Sequence, residues 1–202
     1  MFDVLVIGGG TAGMQCALIL GSAHSKEFAA DKRIGIIMHQ KASHLQSALF
    51  NNALGVAPGT TGMEILKNGK EQLTTLYPHV SRIEREKVSG VRGEAGNFTV
   101  ETNKGVHYAK IVVVALGYTN FFNIEGLNSY IEPHRRAQAA KDRIQLKNND
   151  HLVKEGIYVA GTLAGWRSQF SIAAGSGAQV ATDILTLWNN GKHTKIHDKI
   201  SP

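Results

Sequence analysis

Residues 2–13 read Phe-Asp-Val-Leu-Val-Ile-Gly-Gly-Gly-Thr-Ala-Gly, and this stretch decides the fold. The apolar residues 2–7 predict a buried strand, and the residues after the glycines favour a helix. Gly8, Gly10 and Gly13 have the spacing of the dinucleotide-binding fingerprint, in which the glycines allow a tight turn, approach of a pyrophosphate to backbone, and close helix–strand packing. The stretch therefore predicts a nucleotide site at the start of the helix. Its candidate residues are Gly8, Gly10, Thr11, Ala12 and Gly13.

The second strand of such a unit is predicted at residues 33–39, a short apolar run that completes a βαβ unit. An acidic residue commonly ends this strand and binds the ribose hydroxyls. Here the strand ends in His39, 31 positions after Gly8 (39 − 8 = 31). A histidine can bond a ribose hydroxyl, meet a 2′-phosphate together with Lys41, or only touch solvent. These three interpretations stay open at this point.

The middle of the chain predicts one helix and a group of short strands. Apolar spacing in residues 63–77 predicts a helix that ends before Pro78. Residues 80–108 contain short alternating segments with glycine breaks, which predict a small antiparallel meander.

Further buried strands are expected at residues 110–115 and 156–160, and a long helix from about residue 168 to 188. Small residues along that helix, such as Gly177 and Ala181, predict a close approach to another backbone. Strands that alternate with helices predict one α/β domain over residues 1–190, followed by a polar tail at 191–202.

Composition excludes several classes of protein. With 43% hydrophobic and 19% charged residues, the chain is predicted to be globular rather than disordered. The single cysteine, Cys16, cannot form an internal disulfide and is expected to be a small core residue. The apolar start is too short for a membrane span, which favours a cytoplasmic protein without membrane association.

The net charge of +6 comes from scattered basic residues, so nucleic-acid binding is not predicted. The densest basic stretch is interpreted as a solvated face. It contains Arg135, Arg136, Lys141 and Arg143. His193 and His197 have helical spacing but no acidic or cysteine partner nearby, and no metal site is predicted.

Other motifs follow the glycine fingerprint in a recognisable order. Asn52 precedes a Thr-Gly-Met-Glu segment at 61–64, residues 112–117 read Val-Val-Val-Ala-Leu-Gly, and residues 156–161 read Gly-Ile-Tyr-Val-Ala-Gly. Together they resemble the FAD domain of the thioredoxin reductase branch of the pyridine nucleotide-disulfide oxidoreductases, over about residues 2 to 190.

This resemblance implies a three-layer FAD/NAD(P)-binding Rossmann-like fold with a parallel main sheet and a small antiparallel meander. It also implies an FAD site. The implied cofactor-binding residues are Gly8, Gly10, Thr11, Ala12, Gly13, His39, Asn52, Val80, Ala115, Gly117, Gly161, Thr162 and Gln169.

Two departures from the family pattern alter these expectations. Where the family has an aspartate that bonds the ribityl chain of FAD, this chain has Thr162, and FAD affinity is expected to be lower by about 1 kcal/mol. The family also has an NADPH domain with a redox cysteine pair between the segments that end at Gly117 and Gly161. Only 44 positions separate them here (161 − 117 = 44), too few for a domain of roughly 100 residues.

The leading hypothesis is therefore a small FAD-dependent oxidoreductase that takes electrons from outside the chain, and that does not reduce disulfides alone. NAD(P)H as a transient reductant and a partner redox protein are both open as the source. A non-catalytic nucleotide-binding or interaction protein and an NADP-binding module that uses His39 and Lys41 are the alternatives. No catalytic residue is named, and roles for Trp166 and Arg167 near the expected flavin stay open.

Loss of a domain is also expected to uncover apolar surface around Phe121, Phe122 and Ile124. The chain is therefore predicted to form a homo-oligomer.

Overall fold

The computed structural model describes residues 1–39 and 44–197. Lys41 and the end of the expected tail, residues 198–202, lie outside the described residues. The helices are α1 (Thr11–Ser22), α2 (Gly62–Leu76) and α3 (Phe170–Trp188). The strands are β1 (Phe2–Ile7), β2 (Ile34–Met38), β3 (Leu49–Phe50), β4 (Thr60–Thr61), β5 (Ser81–Glu84), β6 (Val88–Glu94), β7 (Asn97–Thr102), β8 (Gly105–Val114), β9 (Ile131–Pro133), β10 (Ile144–Leu146), β11 (Leu152–Lys154) and β12 (Ile157–Val159).

The main sheet has the order β11-β12-β8-β1-β2-β5, and β1 pairs in parallel with both β2 and β8. Alternate side chains of a strand point to opposite faces, so β1 contributes to two cores. Val4 and Val6 pack with the helices on one face, while Leu5 and Ile7 pack on the other. The predicted α/β fold with a parallel main sheet is confirmed.

Helices α1 and α3 cover one face of this sheet and contact each other closely. A Cβ atom at Gly177 would collide with the carbonyl of Ala12, so only glycine lets the two backbones approach to this degree. Ala181, one turn later, is fully buried. The small residues of α3 therefore pack against α1, as predicted. Cys16 of α1 is fully buried in the same core, where burial raises the pKa of its thiol to about 12.

Helix α2 begins where a local capping box sets its start. The Thr61 hydroxyl accepts the backbone N–H of Glu64 (3.2 Å), and the Glu64 carboxylate accepts the backbone N–H of Thr61 (2.7 Å). Two backbone donors of the first turn are thereby satisfied. Gly69 in α2 lies against Met14, which places α2 beside α1.

The opposite face carries the antiparallel meander, but its bounds differ from the prediction. Strands β6, β7 and β8 form it, and β8 is one continuous strand whose later residues pair in parallel with β1. Residues 81–84 do not belong to the meander, because β5 pairs in parallel with β2 at the sheet edge. Four residues of alternating pattern do not indicate which strand they pair with, which explains why residues 81–84 were wrongly assigned to the meander.

Residues 118–148 also cover this face and include the short β9–β10 hairpin. Ile124 is buried with the main core and Phe122 is half-buried, whereas Phe121 is 90% exposed. The expected apolar surface is therefore wrong for Ile124, because this segment packs its own apolar residues onto the sheet.

The end of the chain folds back onto the domain as far as the structure describes it. Thr194 is buried and accepts a hydrogen bond from the Asn189 side chain (3.1 Å), and Ile196 packs against the helix-side core. Among residues 1–39 and 44–197, no helix combines the length and the apolar character needed to cross a membrane.

Candidate functional site

The carboxyl ends of four parallel strands meet at one edge of the sheet. Ile7 at the end of β1 is in register with Ile37 of β2 and Val114 of β8, and Val114 is in register with Val159 of β12. Ligands of open α/β sheets bind outside this edge. The structure brings most of the predicted residues to it, namely Gly8, Gly10, Thr11, Ala12, Gly13, His39, Ala115, Gly117, Gly161 and Thr162.

The glycines of the first turn have different physical roles. Gly8 has φ +117°, and a Cβ there would collide with the carbonyl of Ala115. A Cβ at Gly13 would collide with the carbonyl of Gly8. At Gly10, in contrast, a Cβ would meet nothing within 4 Å. Gly8 and Gly13 therefore serve packing, whereas Gly10 borders open space in which a ligand can approach the backbone.

Helix α1 begins at this open space without a capping side chain. Gly10 is its N-cap, no side chain caps it, and the first turn contains no acidic residue. The first N–H groups of a helix need acceptors, and the helix end carries partial positive charge. The start of α1, at Thr11 and Ala12, is therefore suited to a phosphate group.

His39 follows β2 at the same edge and is half-buried. Its Nδ1 atom is buried and has no hydrogen-bond partner among the described residues. A buried polar atom without a partner is costly, which favours a ligand group at this position. Of the interpretations left open, a bond to a ribose hydroxyl or a 2′-phosphate fits this observation better than mere contact with solvent.

The second turn follows β12 and contains Gly161, which has φ +76° and lies against Ala12 of the first turn. The N–H of Gly161 donates to the hydroxyl of Ser176 (2.7 Å). The Thr162 side-chain hydroxyl makes no hydrogen bond with the described residues. It is half-exposed at the sheet edge and remains able to bond a ligand.

Side chains from the β9–β10 hairpin hold this second turn in place. His134 Nδ1 accepts the backbone N–H of Arg136 (3.1 Å), so the ring proton lies on Nε2, which donates to the carbonyl of Thr162 (3.1 Å). The Arg135 guanidinium donates to the carbonyl of Ala164 (2.7 Å), which also accepts a weaker bond from Asn148 (3.3 Å). The Thr162 carbonyl also accepts the backbone N–H of Gly165 (2.9 Å), so His134 and Arg135 add side-chain bonds to a short helical turn.

A buried histidine supports the same turn from the other side. The indole N–H of Trp166 donates to His151 Nε2 (3.1 Å), which also accepts the hydroxyl of Ser176 (2.9 Å). His151 Nδ1 lies 3.6 Å from Asp150 Oδ1, too far for a hydrogen bond. Burial lowers the pKa of His151, and the nearby Asp150 opposes this only in part. His151 is therefore kept neutral as an acceptor for two donors.

Two of the remaining predicted residues lie close to the start of α3. Gln169 is the N-cap of α3 and makes no side-chain cap bond. Asn52 is exposed on the loop between β3 and β4. The rings of Phe50 and Phe170 are 5.0 Å apart, which fixes that loop beside the first residue of α3.

Val80 is not part of the site. It precedes β5 at the amino end of that parallel strand, the opposite edge from the glycine turns. Its side chain is buried in the helix-side core, next to Gly21 of α1. The prediction failed because the sequence placed residue 80 in a meander rather than at the start of a parallel strand.

Sequence reasoning missed His134, Arg135 and His151. Arg135, Arg136 and Lys141 are exposed, in line with the predicted solvated face, but Arg135 also donates to the Ala164 carbonyl. Hydrogen bonds between residues distant in sequence leave no periodic pattern, so the sequence carried no signal for these roles. The sequence also gave no indication that Ser176 accepts the Gly161 N–H.

Comparison with known proteins gives a consistent result. The family described as pyridine nucleotide-disulphide oxidoreductase matches residues 2–177. Ferredoxin–NADP reductase 1 of Bacillus cytotoxicus is 29% identical over 157 residues, which are 76% of this chain and 40% of that protein. A type II NADH:quinone oxidoreductase of Staphylococcus haemolyticus is 31% identical over 133 residues, 63% of this chain and 29% of that protein. The chain thus spans well under half the length of these curated relatives.

Solved structures agree on the fold. A thioredoxin reductase from Gloeobacter violaceus superposes with a TM-score of 0.72 at 15% identity, covering 98% of both chains. An oxidoreductase from Agrobacterium tumefaciens has the same TM-score and identity and covers 92% of this chain and 98% of its own. At this identity the likeness concerns the fold.

Proposed function

The chain belongs to the pyridine nucleotide-disulphide oxidoreductase family, and we propose that it is a small FAD-dependent oxidoreductase that takes electrons from a reductant outside the chain. The observation that carries the proposal is the open space over Gly10 at an uncapped helix start. Backbone N–H groups and the positive helix end meet there, as a pyrophosphate requires.

The residues at this edge fit FAD. The backbone at Gly10 and the start of α1 would hold the pyrophosphate, and the orphaned Nδ1 of His39 would bond the ribose. The Thr162 hydroxyl would bond the ribityl chain. The flavin would lie beside the start of α3, near Gln169 and Asn52, which the resemblance implies to be cofactor-binding residues. Bound FAD supplies the electron chemistry.

The chain's own thiol is not suited to pass electrons to a disulfide. Cys16 is the one cysteine, it is fully buried, and its pKa is raised to about 12. The thiolate is the reactive form in disulfide exchange, so this thiol is inert at neutral pH. We propose NAD(P)H or a partner redox protein as the electron source, in line with the names of the relatives, and a cytoplasmic location.

A second candidate is a non-catalytic nucleotide-binding protein with a degenerate FAD site. It is favoured by the absence of both acidic contacts, since His39 and Thr162 occupy the positions where the family resemblance implies carboxylates. Uncharged donors and acceptors bind a ribose or ribityl hydroxyl more weakly than a carboxylate does.

Mixing purified protein with FAD, desalting it and recording its absorption spectrum separates the two candidates. We expect flavin absorption to remain with the protein and to be bleached by dithionite. We also expect no NADPH-dependent reduction of a disulfide dye. Recovery of all FAD in the small-molecule fraction would favour the non-catalytic protein, and sustained disulfide reduction would refute the proposed electron path.

A further inference from the structure

A cavity of about 490 Å³ lies between residues 118–141 and the first turn of α3. Its volume is within the range of small-molecule sites, roughly 300–1,000 Å³. Its lining includes Tyr118, His134, Arg136, Lys141, Arg167 and Gln169. Most of this wall comes from the segment that stands where the family resemblance implies a whole NADPH domain.

The cavity has an uncompensated positive charge. Arg136, Lys141 and Arg167 line it, and no aspartate or glutamate does. None of these three side chains forms an ion pair with a carboxylate in the part of the chain that the structure describes. Cations gathered around one cavity repel each other, and a bound anion would relieve that repulsion.

Arg136 is exposed, but its guanidinium is stacked on an aromatic ring. Its guanidinium lies over the ring of Trp166, 5.2 Å from the ring centre, and its backbone N–H is bonded to His134. Such stacking preorganises the planar group for binding an anion. Gln169 lines the cavity at the start of α3, whose first turn has no acidic residue and adds partial positive charge.

We propose that this cavity binds a small phosphate-bearing molecule through Arg136, Lys141 and Arg167. Three cations match a ligand with two or more negative charges, which a phosphate group or a pyrophosphate provides. The arginine forks also match phosphate geometry, in which two parallel N–H···O bonds form.

The location suggests what this ligand does. Gln169 belongs both to this cavity and to the residues proposed to lie beside the flavin. A phosphate-bearing electron donor or acceptor held here would be next to the flavin. That role rests on the proposed function, whereas the binding of the anion does not.

The test uses inorganic pyrophosphate and two readouts. In a Trp188→Phe background, Trp166 is the remaining tryptophan, and it lies against Arg136. We expect a saturable change in its fluorescence on addition of pyrophosphate, and matching heat in calorimetry of the unmodified chain. Arg136→Gln and Arg167→Gln should each weaken binding by about tenfold or more.

Control variants separate this cavity from the FAD site and from general charge effects. Arg82→Gln removes an exposed arginine of β5 and should leave pyrophosphate affinity unchanged. Gly10→Val fills the open space at the glycine turn, away from Trp166, and should leave the pyrophosphate response of Trp166 fluorescence unchanged. Circular dichroism of every variant must match that of the parent.

Four results would overturn the proposal. They are the absence of saturable binding, equal affinity in Arg136→Gln, Arg167→Gln and Arg82→Gln, loss of the Trp166 response in Gly10→Val, and binding of a polyglutamate peptide without binding of pyrophosphate. An FAD titration of the same samples keeps the two proposals distinct. FAD binding without pyrophosphate binding would reject the proposed anion site and leave the proposed function standing. Pyrophosphate binding without FAD binding would reject the proposed function and leave the anion site standing.

Discussion

The turn after β1 and the turn after β12 lie side by side at the same edge of the sheet, where Gly161 contacts Ala12. Backbone packing shapes the first turn, because Gly8 and Gly13 leave no room for a side chain. Side chains from distant parts of the chain hold the second, chiefly His134, Arg135 and Ser176.

This difference shows two ways to build one binding edge. The first turn depends on glycines, whose lack of a side chain lets backbone segments pack closely. These segments are close in sequence or belong to neighbouring strands. The second depends on polar groups that must be brought to it over distances such as the 29 positions between Arg135 and Ala164. A single substitution in the first turn should therefore cause a large loss of stability. A substitution in the second turn should remove one hydrogen bond and cause a smaller loss.

The largest effect is expected from Gly13→Ala in the first turn. The added Cβ collides with the Gly8 carbonyl, and Gly8 directly follows Ile7, which pairs with Val114 of β8, so a shift of Gly8 would disturb this pairing. We expect a loss of folding free energy on the order of 3–5 kcal/mol, measured by chemical denaturation. Gly175→Ala in α3 is the matched control, because a Cβ there meets nothing within 4 Å and should leave stability unchanged or raised. Equal effects of the two changes would refute the packing role of Gly13.

Arg135→Ala tests the second turn and should have a smaller effect. It removes the bond to the Ala164 carbonyl and leaves Asn148 as a weaker donor. We expect a loss of about 1–2 kcal/mol of unfolding free energy. Arg82→Ala, on the exposed side of β5, should change stability by less than about 0.5 kcal/mol. If Arg135→Ala and Arg82→Ala lose the same free energy of unfolding, the hairpin does not hold the second turn.

Thr162→Asp should tighten FAD binding by on the order of 1 kcal/mol, since a carboxylate accepts a stronger hydrogen bond than the hydroxyl does. Thr162→Val keeps the shape of the side chain, removes the hydroxyl and should weaken binding. Calorimetric titration of FAD into the wild type and the two variants checks this order of affinities. Weaker binding by Thr162→Asp would show that residue 162 does not reach the ribityl chain.

The smallest effect is a change in the pH dependence of stability. Burial lowers the pKa of His151 in the folded chain, so between its ordinary value, about 6.5, and the lowered one the unfolded chain binds more protons. Stability should therefore fall as the pH drops below about 6.5, and His151→Gln should make that fall shallower. Denaturation at several pH values measures this slope. His197→Gln is the exposed control, and an unchanged slope in His151→Gln would contradict a neutral buried His151.

The same contrast explains what the sequence could predict. The glycine spacing at 8–13 and the apolar runs of β1, β2 and β8 are local patterns, and they predicted the fold and the first turn. The support of the second turn by His134 and His151 could not be predicted, because these residues are distant in sequence and follow no apolar period. Val80 was misplaced for a related reason, since short strands do not specify their partners.

Titration of FAD into the wild-type chain and into Gly10→Val tests the central claim most directly. The backbone of Gly10 is extended at φ −77°, and a side chain there meets no protein atom within 4 Å, so valine should be tolerated by the fold and obstruct only the ligand. We expect saturable FAD binding by the wild type, loss of binding by Gly10→Val, and matching circular dichroism spectra. Equal FAD affinity in two folded proteins would contradict the assignment of the glycine turn as the FAD site.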